Sequence, residues 1–126
     1  MKVNLFLIFF CSIAFIINGQ TTRINFNLNS VILDKTACKQ LDTLAAYIIK
    51  DEVDKFHIYL INFPCESELR KNRYIGAMRM IEIVNYLQEK YSIKREKFYY
   101  SDSHPNRINN ESCEKTIKGI EVKLVL

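Results

Sequence analysis

The chain has 126 residues, enough for one ordinary domain and too few for two. Its 48% hydrophobic and 25% charged residues exclude a disordered polar chain, and a formal net charge of +4 gives no basis for a specialised nucleic-acid binder. Collagen-like, coiled-coil and multi-span membrane architectures are excluded by the same composition.

Apart from Lys2, no charged side chain precedes Arg23, and Leu5 to Ile17 is a nearly unbroken apolar run of 13 residues. As a helix this run covers roughly 20 Å, short of the ~30 Å hydrocarbon core of a bilayer. A positive start, an apolar core and the small polar stretch Asn18-Gly19-Gln20 read as a secretory signal peptide over 1–19, leaving one domain over 20–126 with no membrane span. The alternative is a retained membrane anchor. Cys11 follows Leu7-Ile8-Phe9-Phe10 and lacks the small residue that lipoprotein acylation wants before its cysteine. Removing Lys2 with the leader lowers the net charge from +4 by one unit.

Export leaves Cys38, Cys65 and Cys113 in a compartment that permits disulfides. Three cysteines allow one internal bridge at most, and no C-x-x-C is present. Cys38 stands with Ala37, Leu41 and Leu44 at helical spacing, as a small core residue does. Cys65 and Cys113 lie in polar, loop-like sequence and are the disulfide candidates.

The mature chain begins with Arg23-Ile24-Asn25-Phe26-Asn27-Leu28, whose alternation predicts a half-buried strand. Ala37, Leu41, Leu44, Ala45 and Ile48 then recur at helical spacing and predict a helix from about Asp34 to about Lys50. Phe56, Ile58, Leu60 and Asn62 define one face of a second strand and His57, Tyr59 and Ile61 the other. With both faces fairly apolar, this strand is expected to be central. His57 reads as a strand-surface residue, and Pro64 ends the strand. One long helix is expected from about Leu69 to Lys90, with Ala77, Met80, Ile81, Val84 and Leu87 as its core stripe and its methionines as core filler. Lys97 to Tyr100 predicts a third strand, Ser101 to Ser112 a polar loop, and Ile117 to Leu126 an alternating closing strand. The order β-α-β-α-β-β implies an α+β sandwich, a small sheet with both helices on one face.

Little in this chain suggests catalysis. Its only histidines are His57 and His104, there is no G-x-S-x-G turn, and the only glycines after Gly19 are Gly76 and Gly119. His and Cys are too few and too scattered for a tetrahedral metal site. The expectation is a non-enzyme with neither cofactor nor metal. Arg70, Lys71, Arg73 and Arg79 crowd the start of the long helix, around Asn72. Arg79 shares a helix side with Ile75 and Ile83, so two readings stand side by side. It either binds a carboxylate bidentately at short range or lays its stem along the helix.

Several segments resemble, in order, the OmpA-like domain family. Phe26-x-x-Asn29-Ser30-x-x-Leu33 and Leu41-Asp42-x-Leu44-Ala45-Ala46-Tyr47 are similar to the family's first strand and helix. Asn72-x-x-Ile75-Gly76-x-x-Arg79-x-x-x-Ile83-Val84-x-Tyr86-Leu87 is similar to its long helix. Ile93, Lys97 and Phe98 fit the next strand entry, and Ile120-Glu121-Val122 the closing strand. The resemblance implies a non-catalytic module of the periplasm or outer-membrane-associated envelope that associates with peptidoglycan. In the family an aspartate takes the amine of stem-peptide diaminopimelate and the helix arginine takes its carboxylate. Arg79 carries over as that arginine and Asn72 as the helix-start asparagine. Lys118 stands, with Gly119, where the family has paired arginines, and is a further candidate contact. The sequence departs at Pro64, which occupies the place of the family aspartate 15 residues before Arg79, and at Gly76, which replaces a serine. Glu66 is the candidate substitute carboxylate. A second expectation follows from the departures: a degenerate module that serves as a protein-interaction or structural piece of the envelope, held there by a protein partner, without binding peptidoglycan.

Overall fold

The computed structural model describes residues 21–50, 56–63, 65–102 and 119–125. Residues 1–20, Pro64, His104, Cys113 and Lys118 lie outside them, and with them the expected leader. Among the described residues there are four strands and three α-helices: β1 (Thr21–Ile24), α1 (Lys35–Lys50), β2 (His57–Phe63), α2 (Glu66–Lys71), α3 (Ile75–Tyr91), β3 (Phe98–Asp102) and β4 (Gly119–Val125). The strands form one mixed sheet in the order β1-β4-β2-β3. β4 is antiparallel to both neighbours, with Ile24 opposite Ile120 and Leu60 opposite Val122. β2 and β3 are parallel, with Ile58 opposite Phe98, as the helical crossover between them requires.

Alternation then decides the layers. Ile24, Ile58, Leu60, Ile120, Val122 and Leu124 are buried on one face, in a single core with Leu41, Leu44 and Ile48 of α1 and Met80, Ile83, Val84 and Leu87 of α3. The expected two-layer α+β arrangement, both long helices on one sheet face, is therefore present. β2 is central by its pairing, yet no helix among the described residues covers its second face. Tyr59 there stacks on Tyr99 at 5.0 Å between ring centroids, and His57 meets Tyr99 edge-on, half-buried as a strand-face residue.

Three expectations change. β1 ends at Ile24, because the chain turns at Leu28 and Asn29 toward α1. β3 continues to Asp102 through its ladder with β2. The expected long helix is two helices, and the core stripe of α3 is rotated: Ile75, Arg79 and Ile83 are buried, whereas Ala77, Met78 and Ile81 are exposed. Met80 fills the core as expected and Met78 does not. Where β4 begins, Gly119 has φ +128°, and a Cβ there would lie 2.3 Å from the Ile24 carbonyl oxygen, so only glycine fits this close strand approach.

The long helices carry their own local signals. Asp34 caps α1, its Oδ1 accepting the Ala37 N–H at 2.8 Å. Between the helices, Asp42 accepts hydrogen bonds from the Tyr86 hydroxyl at 2.7 Å, the Tyr91 hydroxyl, and the Lys90 ammonium at 3.1 Å. These donors, Tyr86 foremost and then Tyr91, lower the Asp42 carboxyl from its ordinary 3.8 to about 2. A depressed carboxyl pKa stabilises the fold above the unfolded value and loses that contribution as pH falls through the folded one. Asp42→Asn should therefore be less stable than the parent chain at neutral pH, with the gap closing between about pH 4 and about pH 2. Denaturant melts across that range check it, and a gap that persists to pH 2 contradicts it.

Candidate functional site

Asn72 breaks what helical spacing alone would continue. Its backbone is extended (φ −151°, ψ 99°), its Oδ1 accepts the Tyr74 N–H at 3.0 Å, and its carbonyl accepts the Ile75 N–H at 3.2 Å. A short amide side chain thus replaces a helical turn with an Asx turn. Among the residues of α2 only Glu68 is buried, and the break brings it to face Arg79 on the first turns of α3.

Arg79 and Glu68 are both 0% exposed at the side chain. The guanidinium grips the carboxylate with two N–H groups, Nη1 to Oε1 at 2.9 Å and Nη2 to Oε2. Its Nε donates to the Ser30 carbonyl at 2.9 Å and Nη2 also to the Asn27 carbonyl at 3.2 Å. The Phe26 ring lies under it, 5.0 Å from centroid to guanidinium carbon. Glu68 Oε2 also accepts the Asn29 N–H at 2.7 Å, from a residue in the left-handed region (φ 58°) that asparagine tolerates well. The Phe-x-x-Asn-Ser residues therefore form the wall of this ion pair. Each takes a position that the guanidinium or its carboxylate requires.

The expected site residues do not converge on an open groove. Arg79 is enclosed and already holds a carboxylate. Asn72 is occupied in its turn, with Nδ2 against the Met78 sulfur at 3.4 Å. Glu66 pairs with Arg70 at 2.8 Å along the outside of α2. Lys118 and Pro64 lie outside the described residues. Cys65 is buried with its Sγ 3.3 Å from the Ser67 hydroxyl, and Cys38 is a free, partly buried thiol at the edge of the core and not inside it. Among the described residues no group of three or more His, Cys, Asp or Glu side chains could hold a metal ion.

At the carboxyl ends of β2 and β3, Asn62 is buried and donates from Nδ2 to Asp102 Oδ1 at 3.1 Å. A Cβ on residue 76 would stand 1.9 Å from that Nδ2. This accounts for glycine where the resembling family has serine: the Asn62 amide fills the space. Sequence reasoning missed Glu68, since a carboxylate 11 residues before Arg79 faces it only if the helix breaks at Asn72. The Asn72 side chain was the available signal.

No family model and no curated protein matches the sequence. Solved structures do match. A crystal form of the C-terminal domain of Helicobacter pylori MotB is 19% identical, with 83% of this chain and 86% of that chain covered at a TM-score of 0.65. A putative MotB-like protein from Desulfovibrio vulgaris is 17% identical, covering 84% and 71% at 0.60. The OmpA-like domain of FopA1 from Francisella tularensis is 12% identical, covering 83% and 70% at 0.59. At such identities the likeness is one of fold, and the fold of this chain is OmpA-like.

Breaking a buried ion pair leaves a charge without its partner. Arg79→Met or Glu68→Leu alone should cost about 3–5 kcal/mol of unfolding free energy. The double variant, with both charges gone, should recover most of that loss. Urea denaturation of the three variants measures it, and single losses below about 1 kcal/mol contradict a locked pair. Gly76→Ala should also destabilise, despite alanine's better helix propensity, through its clash with the Asn62 amide. A more stable Gly76→Ala variant in the same assay contradicts that clash.

Proposed function

We propose that this chain is a non-catalytic, exported module of the cell envelope in which Arg79 locks the fold and does not grip a ligand, so that the module serves as a protein-interaction or structural piece. The observation that carries this reading is the fully enclosed Arg79–Glu68 pair. In the resembling family the helix arginine meets the carboxylate of diaminopimelate. Here the chain supplies its own carboxylate, tethered 11 residues away in sequence.

Displacing it would leave Glu68 without its guanidinium, at a cost of about 3–5 kcal/mol. That is a loss of roughly two to four orders of magnitude in affinity for any competing carboxylate. The amine side of such a ligand fares no better. The family aspartate is replaced by Pro64, and Glu66 is already paired with Arg70 on the outside of α2.

The envelope location is supported by the leader-like N-terminus and by the fold shared with a MotB periplasmic domain. A disulfide at Cys65 suits an oxidising compartment, and we assign Cys113 as its partner. No helix among the described residues is long and apolar enough to cross a membrane.

Sedimentation with purified peptidoglycan tests the reading. The chain should remain in the supernatant with diaminopimelate-containing and diaminopimelate-free peptidoglycan alike. Selective sedimentation with the diaminopimelate form would return Arg79 to a ligand-binding role and overturn the proposal.

A further inference from the structure

The outward side of α3 carries an apolar row. Tyr74 precedes the helix and Ala77, Met78 and Ile81 follow at helical spacing, on the side opposite Met80, Ile83 and Leu87. Tyr74, Met78 and Ile81 are 57%, 41% and 51% exposed, so this surface is not part of the core. Further along, the same side turns polar at Asn85 and Gln88, which confines the apolar patch to the first half of the helix.

Cations gather at that same end. Arg70 and Lys71 close α2 and Arg73 sits in the connecting turn, all exposed. Glu66 pairs with Arg70 and Glu82 flanks the row, while Glu68 is enclosed against Arg79. Three cations against two accessible acids leave the patch positive. The Arg73 guanidinium lies 4.8 Å from the Tyr74 ring centroid and donates to its hydroxyl. The polar tip of Tyr74 therefore stands at the cationic border and its ring in the apolar row.

An exposed apolar row on a convex helix, edged by long flexible cations and an amphipathic aromatic, has the chemistry of an interfacial lipid contact. Apolar side chains enter the headgroup boundary, the cations meet phosphates, and the tyrosine spans the two. A fluid anionic surface needs no groove to receive the side chains of a single helix face. We propose that the surface built by Arg70, Lys71, Arg73, Tyr74, Met78 and Ile81 docks the module on a bilayer carrying anionic phospholipid headgroups. The proposal deepens the reading above, because it rests on an envelope module whose contacts are made away from Arg79.

The test is co-sedimentation with vesicles of phosphatidylcholine alone and of phosphatidylcholine with about a third phosphatidylglycerol. The chain from Gln20 onward is used, because the buried core of the described residues lies between Ile24 and Leu124 and the apolar Leu5–Ile17 run would itself enter lipid. Partition to the anionic vesicles only, weakening as salt rises, is expected. Lys71→Gln with Arg73→Gln should reduce it roughly thirtyfold, at about fivefold per cation. Met78→Asp with Ile81→Asp should abolish it without lowering the melting temperature. Equal partition to neutral vesicles, variants that partition like the parent, or no partition at all would each overturn the proposal, as would binding only to a soluble acidic protein. Peptidoglycan is absent from this assay, so failure here leaves the Arg79–Glu68 reading standing. A peptidoglycan result that defeats that reading would leave vesicle binding unaffected.

Discussion

The structure is organised around one enclosed ion pair. Arg79 projects from the core side of α3, where a charge without a partner would be prohibitive to bury. Glu68 from α2 and the Asn27 and Ser30 carbonyls from the β1–α1 loop supply what the guanidinium needs, and Asn29 donates in turn to the carboxylate. Two segments, α2 and the β1–α1 loop, are thereby fixed to one side chain of α3. α2 buries no other residue, so its place on the domain depends chiefly on this contact and on Cys65 beside it.

This arrangement separates two meanings of a recurring residue pattern. Phe26, Asn29, Ser30 and Arg79 are among the positions that carry the resemblance to OmpA-like domains. In this chain they touch one another and Glu68: a ring beneath the guanidinium, an amide in the left-handed region, a carbonyl on Nε. The pattern is thus satisfied internally. Asn62 and Gly76 tell the same story on a smaller scale, one amide filling the space that a side chain at 76 would use.

Much of the fold was legible in the sequence. α1 was marked by its apolar spacing from about Asp34, β4 by strict alternation, and the two-layer arrangement by element order. The rotated stripe of α3 was not legible, because a buried arginine counts as polar in any hydrophobic pattern. Arg79 shares a helix side with Ile75 and Ile83, but the expected stripe was drawn through apolar residues only and so took in Ala77 and Ile81. The division of α2 from α3 depended on one Asx turn that a periodicity argument passes over. Glu68 was hidden for the same reason, since its partner is identifiable only in three dimensions. The apolar exposure of Met78 and Ile81 is the other side of this error, and it turns a supposed core stripe into a surface.

The Arg79 guanidinium is sealed inside the protein by Glu68. The most direct measurement is the NMR signal of the Arg79 Nε–H, followed for solvent exchange and during titration with a diaminopimelate-containing stem peptide. A sealed guanidinium should give a protected, slowly exchanging proton whose resonance does not move as the peptide is added. A rapidly exchanging proton, or one that shifts with saturable dependence on the peptide, would contradict it.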